Sequence, residues 1–184
     1  HNASTGTGTS YNVTTYDREH NKLVVFFEQN DDLRCIVGTP TGSGSTSSVT
    51  WGSVTDLHTS HGVYHYIAAE YIHFNNVNKH VVAWIDNTSG QTKRLYSMVV
   101  DVAANGTVTA GSPTEVTNSN VGLRDERVEV CNGHETSYPY LLFYAKSTSD
   151  SLQHRDGTIN TSDNYTTAAG GGNSAGPTNV RMRD

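Results

Sequence analysis

One short motif recurs three times in this chain, and it limits what the chain can fold into. Lys22-Leu23-Val24-Val25-Phe26-Phe27 returns as Lys79-His80-Val81-Val82-Ala83-Trp84, and more loosely as Pro139-Tyr140-Leu141-Leu142-Phe143-Tyr144. Each copy is a brief apolar run that ends on an aromatic residue. The aromatic ends lie 57 residues apart (27 to 84) and then 60 apart (84 to 144). A second register agrees. Val49-Thr50-Trp51-Gly52 returns 59 residues on (52 to 111) as Val108-Thr109-Ala110-Gly111. Thr167-Ala168-Ala169-Gly170 follows after another 59 (111 to 170). A fixed period of this kind is the mark of a repeat architecture, in which one unit cannot bury its apolar face alone and stacks on its neighbours.

Within a unit the pattern is that of strands. Tyr11 to Tyr16 alternates. Leu23 to Phe27 is too apolar for a half-exposed strand and is expected to be buried on both faces. Leu33 to Val37 follows, with Gly38-Thr39-Pro40 as its stop, and then Val49 to Leu57 after a Gly/Ser/Thr loop. The second unit repeats the plan with Val63 to Phe74, His80 to Ile85, Leu95 to Val102 and, after the Asn105-Gly106 turn, Val108 onward. The third has Arg127 to Cys131, Tyr140 to Tyr144, a weaker Ser151 to Ile159, and a fourth strand that dissolves into glycines, with Thr178 to Met182 as one further candidate. No segment has a helical period.

The expected fold is therefore all-β, built from tandem four-stranded antiparallel units of about 57–60 residues in a β-propeller-like arrangement, with a β-sandwich as the alternative. The divisions are a flexible arm over 1–10, repeat units over 11–60, 61–119 and a degenerate 120–170, and a Gly-rich tail over 171–184. Three units are fewer than the roughly four to eight blades of closed propellers. Open edges then invite other copies of the chain to form a homo-oligomer or filament. A core of Val24, Phe26, Val82, Trp84, Leu142 and Tyr144 is expected to hold the units together.

Composition removes some functions. The formal net charge is −6 with no Lys/Arg cluster, so no basic face exists to neutralise phosphates and nucleic acid is excluded as a partner. No apolar run nears the roughly 18–20 residues that cross a bilayer. The chain starts at His1, which is expected of a processed product or of part of a longer one. Low charge and many hydroxyl residues fit an extracellular protein or a virion surface. Cys35 and Cys131 both lie in strand-like runs. They read as buried small hydrophobes, or as a bridge if their Cα atoms face each other at about 5.5 Å. Sequons occur at Asn2, Asn12, Asn87, Asn105, Asn160 and Asn164, a small excess over the roughly four that chance gives in so Ser/Thr-rich a chain. They are candidates for N-glycosylation, with Asn87 and Asn105 in turns the accessible ones.

Three stretches carry a resemblance. Tyr16-Asp17 through Asn21-Lys22-Leu23-Val24-Val25-Phe26, then Ile36-Val37-Gly38-Thr39, then Val49-Thr50-Trp51-Gly52-Ser53 are similar to β-propeller-like repeats of marine bacteriophage tail-fibre and virion-surface proteins. The likeness covers residues 11 to about 117 well and 127 to 170 poorly. It implies a propeller-like fold and a place on an extracellular assembly, and it transfers no catalytic residue. The long strand Val63 to Phe74 and the Gly-rich tail depart from the pattern. Gly44 to Trp51 also resembles the Asp-box hairpin of sialidase-type propellers, but the Asp is absent, so the likeness implies a hairpin and not an enzyme.

Few constellations suggest chemistry. His58, His61 and His65 are spaced closely enough to share a metal if the intervening loop folds back, with solvated loop histidines as the plainer reading. His73 and His80 stand nearby in sequence. Asp17, Glu19, Asp31, Asp32, Asp86 and Asp101 fall at turns or strand ends, and a glycosidase would need two of them about 5–9 Å apart. Tyr64 and Tyr66 share a strand face by parity and would stack on sugars if exposed, or fill the space between sheets. No cofactor is implied. The leading expectation is a non-enzymatic structural or adhesive module of an extracellular assembly. A glycan-binding lectin module and a fragment of a secreted sialidase-like glycosidase are the alternatives.

Overall fold

A computed structural model of the chain describes residues 11–59, 63–74, 77–86, 94–116, 128–135, 138–146, 151–160 and 165–174. The fold is all-β and antiparallel throughout, with three sheets taken in chain order. The first holds β1 (Asn12–Asp17), β2 (Lys22–Gln29), β3 (Asp32–Thr41) and β4 (Ser48–His58). In the second are β5 (Val63–Phe74), β6 (Val77–Asp86), β7 (Arg94–Val102) and β8 (Val108–Ala110), with short β9 (Thr114–Glu115) also paired to β7. The third comprises β10 (Val128–Glu135), β11 (Tyr138–Lys146), β12 (Ser151–Asn160) and β13 (Tyr165–Ser174). Strand order within every sheet follows the sequence. The described strands close neither a barrel nor a propeller ring. Thr178 to Met182 lies outside the described residues.

Turn chemistry explains the hairpins. Asn21, Asn30 and Asp31 take positive φ, a region that short polar side chains tolerate. The Asn105 side chain accepts the Thr107 amide at 2.9 Å, and Gly106 has φ +86°. Gly38 does not stop β3 as the sequence suggested. The strand runs on through Pro40, and Gly38 is there because Trp51 lies across it. A Cβ at Gly38 would come within 2.8 Å of the indole and 2.6 Å of Val49. Gly157 serves the same purpose under the ring of Tyr140.

Call the face that each sheet turns toward the next its front, and the opposite face its back. Alternation along β2 and β3 sends Val24, Phe26, Leu33, Cys35 and Val37 to the front of the first sheet, against Val82, Trp84, Met98 and Val100 on the back of the second. The front of the second sheet sends Ala68, Ile72, Val81, Ala83 and Ile85 against Val128, Val130, Tyr140, Leu142 and Tyr144 of the third. The residues expected to form one core are all buried, but they belong to two separate layers, because the second sheet stands between them. Equivalent repeat positions point the same way. Phe26 and Ala83 both face front, and Trp84 and Tyr144 both face back. Each sheet therefore stacks on the next through the same pair of faces.

Covering both faces of the second sheet leaves Val81, Val82, Ala83 and Trp84 at 0% exposure. The first sheet differs from expectation. Leu23 and Val25 point to its back and are only half-buried, since no described sheet packs there. Cys35 is free and sealed in the first layer, where burial pushes its thiol up to about 12. Cys131, in the third sheet, is in no disulfide, so the two are not bridged.

Candidate functional site

β1, β5 and β10 are each the first strand of their sheet, and these three edges come together along one seam with β5 in the middle. Two clefts open there. One, of about 390 Å³, is lined by Thr14, Thr15, Tyr16 and Arg18 of the first unit, by Ala69, Glu70, Tyr71 and His73 of β5, and by Asn132 and Gly133 of β10. The other, of about 540 Å³, is lined by Tyr11, Asn12 and Val13, by Tyr66 to Ala69, and by Val128 and Glu129. Ala69 belongs to both, so the clefts follow one line.

Beneath the smaller cleft is a buried polar cluster. Asp17 ends β1 and folds back on its own turn. One carboxylate oxygen accepts the amides of Glu19 (2.9 Å) and His20 (3.1 Å), and the other meets His20 Nδ1 at 2.9 Å. This is an Asx turn, the usual reason for Asp at such a site. Burial raises the Asp17 carboxyl, but the bonds from His20 and Tyr71 and the His20 charge outweigh it and hold the group below the usual carboxylate range. Tyr71, on β5, is driven up by burial and then by the neighbouring Asp17, so its phenol stays protonated.

His80 faces this cluster from β6 and is 1% exposed. Its Nδ1 shares a 2.8 Å hydrogen bond with Thr15 Oγ1 across the sheet interface, and its ring touches those of Phe26 (5.9 Å) and Tyr71 (5.1 Å). Burial lowers its pKa to about 4, against the upward pull of Asp17 and Asp101. The imidazole is neutral at neutral pH. Asp17 acts on it through charge, and its carboxylate is engaged by Glu19 and His20 of the turn and by Tyr71 of β5. The arrangement ties the first sheet to the second. A second tie, Asn132 Nδ2 to Glu70 Oε1 at 2.9 Å, joins the third sheet to β5. Among the described residues, Glu70 is the carboxylate that lines the smaller cleft and Glu129 the one that lines the larger.

No protein-family model, curated protein or solved structure matches this chain.

The residues singled out from sequence are placed as follows. Tyr66 is half-buried, lines the larger cleft and lies 4.9 Å from the Tyr11 ring. Tyr64 and His65 are on β5, in a stretch where the ladder to β6 is interrupted between Val63 and Ile67. Their side chains lie outside the described set, as does His61 altogether. His58 packs its ring 5.4 Å from Trp84. Among the described residues no group of three His, Cys, Asp or Glu is placed to hold a metal ion. Asn12 and Asn105 are exposed. Asn160 ends β12, and Asn2, Asn87 and Asn164 fall outside the described residues.

Sequence reasoning missed the Thr15–His80 contact and the burial of Asp17. A signal for the first was present. His80 stands where the first repeat has Leu23, inside an apolar run, and a polar residue there is expected to have a partner.

Proposed function

We propose that this chain is a non-enzymatic structural or adhesive module of an extracellular assembly, such as a virion fibre or surface filament, and that its sheets are consecutive blades of a propeller-like stack. The observation that carries the reading is the repeated docking of one sheet's front on the next sheet's back. Its companion is the gathering of β1, β5 and β10 along a single seam, as innermost blade strands gather about an axis. The buried polar groups support a scaffold role: Asp17 holds its own turn, and His80 Nδ1 joins Thr15 across the sheet interface. Multivalent display of many copies would give such a module its adhesion. Antibodies raised against the chain are expected to decorate the outside of intact particles or filaments from its source. Label confined to the cell interior, or turnover of fluorogenic glycosides by the chain, overturns this reading.

One observation favours a second reading as a glycan-binding module. The larger cleft pairs an aromatic face, Tyr66 on Tyr11, with polar Asn12 and Glu129, the combination that holds a sugar by stacking and hydrogen bonds. Binding on a glycan array that Tyr66→Ala abolishes would establish it. An array with no signal removes it.

A further inference from the structure

The back of the first sheet is an apolar face without a described neighbour. Tyr16 and Val54, at 45% and 46% exposure, are the exposed large hydrophobics of the described residues, and both lie on this face. The pairings show it: Tyr16 is opposite Leu23, Val25 opposite Ile36, and Ile36 opposite Val54. Leu23 and Val25 between them are half-buried, while Phe27 and Ile36 of the same face are at 4% and 9%. The equivalent positions on the second sheet, His80 and Val82, are at 1% and 0% because the front of the first sheet covers them. On the third sheet the equivalents, Tyr140 and Leu142, are covered by the front of the second.

Among the described residues, the complementary face at the other end of the stack has no neighbouring sheet. Phe143 occupies the repeat position of Phe26 and Ala83, points to the front of the third sheet, and is half-buried beside the His154 ring, 6.1 Å away. Phe26 seats against His80 on the next sheet, and the residue of the first sheet at the His80 position is Leu23. The described sheets thus present a knob at one face of the stack and its socket at the other.

We propose that the back of the first sheet receives the front of the third sheet of a second copy of this chain, with Phe143 of one copy over Leu23 and Val25 of the other. The occupant is identified by continuity. Two interfaces inside the chain already join a front to a back through the same repeat positions, and an intermolecular contact of this type extends them. Such head-to-tail contacts close a ring or run on as a filament. Two copies would bring six sheets, within the roughly four to eight of closed propellers. This deepens the assembly reading and rests on it, and it replaces edge-strand pairing by face packing as the means.

Sedimentation of the purified chain tests it. The wild type is expected at twice 19.9 kDa or a higher multiple. Val54→Lys, on the receiving face, and Phe143→Lys, on the inserting face, should each weaken self-association more than about tenfold, with circular dichroism showing both folded. Thr109→Lys, at an exposed position of β8, should associate as the wild type does. Mixing the two interface variants leaves one intact front and one intact back, so association should return. A monomeric wild type overturns the proposal. So does a Phe143→Lys chain that associates normally, which would mean a back-to-back contact and would leave the assembly reading standing. If Phe143→Lys fails to fold, His154→Glu on the same face takes its place, with the same two outcomes.

Discussion

His80 replaces the Leu23 of the first repeat with a group that titrates, and the exchange makes stability depend on pH. Its folded pKa is about 4, against about 6.5 in an unfolded chain. As pH falls, the unfolded state takes up the proton first. The neutral imidazole's full contribution is therefore present above about pH 6.5 and is lost as pH drops through about 4, a change of about 3 kcal/mol. Asp17 acts in the same sense lower down, because its depressed carboxyl contributes above its ordinary pKa and loses that contribution as pH falls through the folded value. Melting temperature is expected to fall between pH 6.5 and 4, and His80→Gln should flatten that slope even though its melting temperature is lower at neutral pH. An unchanged slope in the variant would show that other histidines carry it. Nothing in composition or spacing exposes such a group. His80 is visible in the sequence as an oddity in an apolar run, but its partner Thr15 lies 65 residues away.

At the scale of the element, β2 and β6 carry one motif and live in different surroundings. Trp84 on β6 is at 0% exposure, stacked 5.8 Å from Tyr96, with the His58 ring tilted against it at 5.4 Å. Truncation to Ala should cost about 3–5 kcal/mol in urea unfolding. At the paired repeat position next to it, Val82→Ala should cost more than Val25→Ala, since only Val82 is covered from behind. Equal costs would mean that the back of the first sheet is already covered in solution. Strand type and strand order were legible here because an apolar run of five or six residues, bounded by Asn, Asp and Gly, has few other readings. Which runs were covered on both faces was not. That depends on whether a sheet has one neighbour or two, and Leu23-Val24-Val25 reads as more apolar than His80-Val81-Val82 although it is the less covered. The reach of β3 was misread for a related reason: Gly38 looked like a stop, and its real cause, the indole of Trp51, comes from another strand. The seam was invisible for the same reason, since its walls come from three units.

Among the described residues the two large apolar clusters each lie between successive sheets, so the stack behaves as a one-dimensional array whose stability sums over neighbours. The middle sheet has two neighbours and each outer sheet one. In deuterated water the amides of β6 are expected to exchange last, with those of β4 and β13 well ahead of them, because local opening is easiest where fewest apolar contacts must break. Uniform protection across the three sheets would contradict this. A unit that always offers one face and accepts the other has a further property. Duplicated and inserted anywhere in the row, it meets the two surfaces it already fits. Such a gene can grow or shrink by whole units, and each new copy is free to change along the seam while its two stacking faces hold it in place.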